Sequence, residues 1–234
     1  MPVKSLSRGA FSPLLLLSRW FVIGAAIALI VACSSHTPPP PVLASGYISD
    51  HGVVRLWRKD DSQHDTVRLL VVYNPIQGNH SVVTQYLYQQ GNVREIERKL
   101  ETQKDETQIR FAEDGTVSFM QRQLAERRES ISDDDLALYQ WDAKRLLELS
   151  DVLKAGKVTL QQGIWQNGQV ITCDGARVQP DFDNASREWI AQRRQQLAGL
   201  SSLSIAWLEA PEGTQLLLVD QGDFCRWQSD ADRL

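Results

Sequence analysis

Between residues 46 and 123 the chain alternates apolar and polar positions with a period near two. Residues 53–58 alternate, and residues 66–73 are β-branched and apolar. Residues 81–88, 93–100, 107–111 and 116–120 repeat the pattern, which sends alternate side chains to opposite faces of a strand. Asn-Pro, Gly-Asn and Asp-Gly pairs separate these runs, so the stretch predicts an antiparallel meander of five or six strands. The charges of 93–100 would equally suit a helix. Trp57, Tyr86, Tyr88, Phe111, Phe119 and Met120 supply the apolar surface. They are expected to pack against a helix, with a ligand groove as the other reading.

The period then changes from two to nearly four. Ser132 is placed to cap a helix whose first turn carries Asp133, Asp134 and Asp135, where the helix dipole favours carboxylates. Leu136, Tyr139, Ala143, Leu146, Leu147 and Leu153 recur along one face; Lys154 sits near the far end, and Gly156 is expected to stop the helix. The Asp triplet lacks the alternating spacing and the glycine of a calcium loop, so helix-start chemistry accounts for it. Strand signals return at 157–160, 163–165 and 170–173, the last two joined by Asn167-Gly168. A second helix is expected from Asp183 or Asn184 to Gly199, with a thin apolar side of Trp189, Ile190 and Leu197. A closing hairpin, 203–208 and 214–219, precedes a last ordered stretch at 224–227. The fold class expected is α+β: an antiparallel meander under a long amphipathic helix, then a smaller β region with one helix.

The N-terminal segment carries another kind of signal. Lys4, Arg8 and Arg19 lead into an apolar run, 20–32, that ends in Ile30-Val31-Ala32-Cys33. The layout is that of a secretory leader, and the tetrad resembles a lipobox, the mark of bacterial lipoproteins. That resemblance implies cleavage between Ala32 and Cys33 and lipid on Cys33. The 13 residues of the apolar run fall short of the roughly 20 that cross a bilayer core. Extending the run back to Phe11 would bury Arg19. Residues 36–45, with four consecutive prolines, read as a spacer that extends about 3.1 Å per residue. A docking motif for a proline-recognising partner is the rival reading. The domains expected are therefore a leader, 1–32; a lipidated cysteine and tether, 33–45; and a periplasmic domain, 46–234, with a possible sub-boundary near 156. Ser34 stands where enterobacterial lipoproteins held at the inner membrane carry Asp, which implies the periplasmic face of the outer membrane.

Charge narrows the partners. The whole chain carries a net −4, and loss of the three leader bases takes this to −7. An acidic domain has no basic stripe for phosphates, so nucleic acid is excluded as a partner. The membrane partner is reached through lipid on Cys33; an envelope protein or a lipid ligand is the other partner class expected. With Cys33 assigned to lipid, Cys173 and Cys225 remain as an even pair in an oxidising compartment, which predicts a disulfide.

Catalytic constellations are missing. The sequence holds no Gly-x-Ser-x-Gly, Ser-x-x-Lys, His-Glu-x-x-His or Walker loop. His36 lies in the tether, and His51, His64 and His80 fall at expected strand ends or turns, where exposed loop histidines are the ordinary reading and a shared metal site the rival one. No catalytic residue, metal or cofactor is assigned.

The C-terminal text, Ala206-Trp-Leu-Glu-Ala-Pro-Glu-Gly-Thr-Gln-Leu-Leu-Leu-Val219 with Asp223-Phe-Cys-Arg-Trp227, resembles an uncharacterised lipoprotein family of enterobacteria and their relatives. Phe119-Met-Gln-Arg122, Ala137-Leu-Tyr139 and Ala32-Cys-Ser-Ser-His-Thr-Pro38 extend the resemblance over the mature chain. A domain of unknown function carries over no catalytic residue. The function expected is a non-enzymatic accessory protein that binds a protein or glycan through one face. A carrier of acyl chains or lipoproteins with an apolar cavity is the alternative, and a cell-wall hydrolase the third.

Overall fold

The computed structural model describes residues 42–77, 80–197, 203–231 and 233–234; the leader, Ala32, Cys33 and the prolines of the spacer lie outside them. Eight strands follow one another in chain order: β1 (Leu43–Ser49), β2 (Gly52–Asp61), β3 (Thr66–Pro75), β4 (Val82–Gln89), β5 (Asn92–Leu100), β6 (Glu106–Phe111), β7 (Val117–Gln123) and β8 (Arg128–Glu129). They form a single antiparallel sheet in the order β1-β2-β3-β4-β5-β6-β7-β8. The ambiguous stretch 93–100 is a strand, paired with β4 and β6 on its two sides. Two strands add to the expected meander. β1 starts at Leu43, inside the stretch read as spacer, and β8 is two residues long, too short to show a period.

The helix α1 (Asp133–Ala155) begins as expected, with the Ser132 hydroxyl accepting from the Asp135 amide. Its end differs. Gly156 stays right-handed, and Lys157 takes the positive φ of 54° that reverses the chain. Then come β9 (Thr159–Gln166), β10 (Gln169–Thr172), β11 (Arg177–Val178), the helix α2 (Asn184–Gln196), β12 (Leu203–Ala210), β13 (Gly213–Asp220) and a short helix, α3 (Arg226–Ala231). The strands form a second antiparallel sheet, ordered β11-β10-β9-β12-β13.

Period-two alternation sorts these elements into four layers. Val54, Leu56, Leu69, Val71, Tyr86 and Ile109 face α1 and bury Ala143 and Leu146 of that helix. The intervening residues Val53, Trp57, Leu70 and Val72 face the opposite way, onto Leu160, Ala206, Leu208 and Leu217 of the small sheet. The far side of the small sheet presents Ile205, Trp207 and Val219 to Phe182 and to Ile190 of α2. The order is α1, large sheet, small sheet, α2. Trp57 therefore belongs to the core between the sheets, whereas Tyr86, Tyr88 and Phe111 pack under α1. Phe119 and Met120, expected in the core, stand exposed on β7. Close approach of the sheets requires a residue without a side chain at Gly46, where a Cβ would lie 2.5 Å from the Val54 carbonyl oxygen and 3.2 Å from Leu217.

An ion network centred on one buried arginine ties α1 to the sheet. Arg58, 7 % exposed, donates to Asp60 at 2.7 Å, to the Ser150 hydroxyl at 2.7 Å and to Asp151 at 2.5 Å, and Lys154 closes on Asp60. Burial opposes the Arg58 charge, but the two carboxylates prevail and raise its pKa.

Cys173 and Cys225 are joined, with Cα atoms 5.3 Å apart and a separation of 52 residues. The bond fastens the turn after β10 to the start of α3, where the sequence suggested a last strand. From it Phe224, Trp227 and Ala231 pack with Val53, Trp57, Leu70 and Val72 of the large sheet, and the Trp57 indole donates to Gln228 at 3.1 Å. On the chain-entropy account a loop of this size is worth about 4 kcal/mol. Replacing both cysteines by serine should lower the unfolding free energy from urea titration by roughly that amount and steepen the transition, because the denatured chain is no longer crosslinked. An unchanged free energy would show that the loop is already restrained without the bond.

Candidate binding cleft

The small sheet covers only part of the large one, and the edge of that cover is visible in a single row of paired residues. Across the strands the row reads Ala44, Trp57, Leu70, then Gln85, Glu97, Gln108, Gln121. Its first three members are apolar and lie beneath the small sheet or at its margin; the last four are polar and face solvent. Gln108 donates to Glu97 at 2.9 Å and to Glu95 at 3.2 Å, and the Arg110 guanidinium donates to Glu95 at 2.6 Å. Arg110 also lies over the Phe119 ring, 5.8 Å from its centre.

Where cover ends, the step between the two layers forms a cleft of about 780 Å³. Its floor is Val83, Gln85, Glu97 and Lys99 of β4 and β5, its rim the loop 101–104, and its wall Trp227, Asp230 and Arg233 from α3 and beyond. Four bases (Arg68, Lys99, Lys104, Arg233) are matched by four acids (Glu97, Glu101, Glu106, Asp230). A balanced lining holds no polyanion by charge alone. It suits a polar partner read by paired hydrogen bonds.

The rim is fixed from behind. Asp105, 7 % exposed, accepts from Arg122 at 3.0 Å and 2.7 Å, and this pair holds the Asp105 carboxyl below the usual carboxylate range. Glu101 on the rim meets Arg226 of α3, and Arg226 lies over the Trp227 ring, 4.3 Å from its centre.

Beneath the wall lies a group that sequence reading missed. Arg55 on β2 is 1 % exposed between the two sheets. It donates to the Gln162 side-chain oxygen at 2.7 Å and to the Asn74 side-chain oxygen at 3.0 Å, and the Phe224 ring centre lies 4.5 Å away. No carboxylate pairs with it among the described residues, and its Nε has no partner. Burial, reinforced by Arg226 and opposed by Glu101, pushes its pKa down to about 9. Arg55 shares its face of β2 with the apolar Val53 and Trp57, so only its charge suggests a surface position. No local signal announces that a sheet formed 100 residues later covers this face.

The described histidines do not converge. His51 lies in the turn before β2 and His64 in the turn after it, so the ten residues of β2 hold them about 33 Å apart. His64 bonds Asp61 and His80 meets Thr102, both at exposed positions. Among the described residues no group of three His, Cys, Asp or Glu side chains is placed to hold a metal ion.

The sequence over these elements, residues 44–230, matches the model of a protein family described as DUF1481, protein of unknown function. The chain belongs to that family. The match opens within β1 and closes within α3, so it takes in both sheets and the covering helix. The chain is also similar to the Uncharacterized protein YjaH of Escherichia coli (strain K12), at 38 % identity over 229 residues that cover 97 % of each chain. No solved structure matches it significantly.

Two outcomes are expected here. Gln162→Leu removes the Arg55 acceptor and should cost about 2 kcal/mol, and Arg55→Ala a similar amount or more. The double variant should fall short of their sum by about 2 kcal/mol, because the second change removes a bond already lost; strict additivity in denaturant titrations would refute the coupling. The lowered Asp105 pKa stabilises the fold above the ordinary carboxylate value and is lost as pH falls through the folded value. Asp105→Asn should therefore flatten the acid limb of the stability curve below about pH 4.

Proposed function

We propose that this chain is a lipid-anchored accessory protein of the bacterial cell envelope that binds a polar partner through the cleft beside α3, without catalysing a reaction. The observation that carries the reading is the tetrad Ile30-Val31-Ala32-Cys33 behind a basic and apolar leader. Cleavage before Cys33 and lipid on its thiol and amino group would supply more than one acyl chain, and two suffice for stable membrane residence. Ser34 supports residence at the periplasmic face of the outer membrane. An extracytoplasmic setting is consistent with the bond between Cys173 and Cys225, since disulfides persist in oxidising compartments.

Binding is favoured over acyl-chain carriage by what fills the interior. Between α1 and the large sheet, Tyr86, Tyr88, Ile96 and Ile109 pack against Ala143 and Leu146. The Tyr88 hydroxyl donates to the Ala143 carbonyl at 2.8 Å, and Tyr86 donates to Asp142 at 3.3 Å. Burial raises both phenol pKa values. A carrier needs apolar volume there; these side chains occupy it.

Cys33→Ala should leave the protein uncleaved or release it from the membrane fraction, read by intact mass and fractionation. Unchanged mass and unchanged fractionation would refute the anchor. A photo-crosslinking residue at Lys104, on the exposed rim, should capture a discrete envelope partner that the same residue at exposed Glu113 does not. Identical capture at both positions would remove the cleft from the reading.

A further inference from the structure

The geometry points to the outer face of α1 as a surface that lies on the membrane and sets the orientation of the anchored domain. The inference rests on the anchor proposed above. Leu138, Trp141 and Val152 are 61 %, 59 % and 65 % exposed, although the opposite side of the same helix is buried in the core. With Arg145 and Glu148 they follow steps of three and four, so they form one stripe, about 21 Å from Leu138 to Val152. Arg145 lies over the Trp141 ring, 5.3 Å from its centre, and also pairs with Asp142 at 3.0 Å. An indole with a cation on its face has an apolar body and a polar edge, the chemistry that settles at the boundary between headgroups and acyl chains.

The place where the chain joins the domain selects the occupant. Leu43, the first residue of β1, pairs with Arg58, and the Arg58 guanidinium is bonded to Ser150 and Asp151, next to Val152. The tether thus reaches the domain beside one end of the stripe. Eight residues lie between Cys33 and Val42, a reach of at most about 30 Å over the nine steps. A surface held that close to the bilayer meets it at an effective concentration of order millimolar, so contacts too weak to recruit a free protein suffice to orient a tethered one. Along and beside the stripe Lys144 and Arg145 are outnumbered by Asp134, Asp142, Glu148 and Asp151, which leaves apolar insertion rather than attraction to anionic headgroups. The occupant is therefore a zwitterionic lipid surface. Trp189, 47 % exposed on α2, occupies the opposite outer layer and serves as the internal control.

The test uses the protein purified in detergent from membranes and reconstituted in phosphatidylcholine vesicles with brominated acyl chains, which quench tryptophan on contact. Tryptophan emission should be quenched, and 0.5 M salt, which shortens the screening length to about 4 Å, should not relieve it. Trp141→Phe should lose most of the quenching and Trp189→Phe none. Leu138→Asp with Val152→Asp, both at exposed positions, should lose most of it while Trp141 is retained. A protein that floats with the vesicles yet shows no quenching, or the same quenching without Trp141, overturns this inference and leaves the anchor standing. A protein that does not float overturns both.

Discussion

Everything in this molecule depends on β2 being buried on both faces. Val54 and Leu56 complete the core under α1, while Val53 and Trp57 complete the core between the sheets. A strand in the middle of two cores cannot shift register by one residue without exchanging the residues given to each. Arg55 shows what that constraint tolerates. Its guanidinium sits in the second core with two amide acceptors and an aromatic ring in place of a carboxylate. Desolvation of a charge is unfavourable unless hydrogen bonds replace water. Gln162 and Asn74 therefore do more than fill space: they make β9 and β3 partners of the same side chain.

The partial overlap of the two sheets divides the molecule functionally. One face of the large sheet carries α1 along its length. The other is covered over its first strands and open over β4–β7, and the cleft lies where the cover stops. The helix stripe and the cleft are thus on opposite sides of one sheet. A domain resting on α1 would turn the cleft away from the bilayer, toward whatever passes above it. The family match, residues 44–230, runs over both sheets and α1, and the proposed function uses this architecture rather than any reactive group.

Much of the fold was legible in the residues, for a physical reason. Strands β2 to β7 alternate because one face meets solvent or a different core from the other, and α1 declares itself by Ser132, three aspartates and a stripe of leucines. The disulfide followed from counting cysteines. Features that depend on distant cover were not legible. Phe119 and Met120 look like core residues from their type, but neither sheet nor helix reaches them. Arg55 looks like a surface residue from its charge, but the second sheet arrives to bury it. The short helix α3 was missed because six residues, Arg226–Ala231, hold too few turns to display a period. The cleft was missed with it, since α3 is its wall.

The indole of Trp57 bonds Gln228, 171 residues further along the chain. Contacts of that span form late, because closure of a long loop must precede them. Until then the large sheet can fold beneath α1 with Trp57, Leu70 and Val72 uncovered on its other side. A chain cut short before β12 and β13 would leave Trp57, Leu70 and Val72 without the residues that cover them, an adhesive face on an otherwise folded sheet.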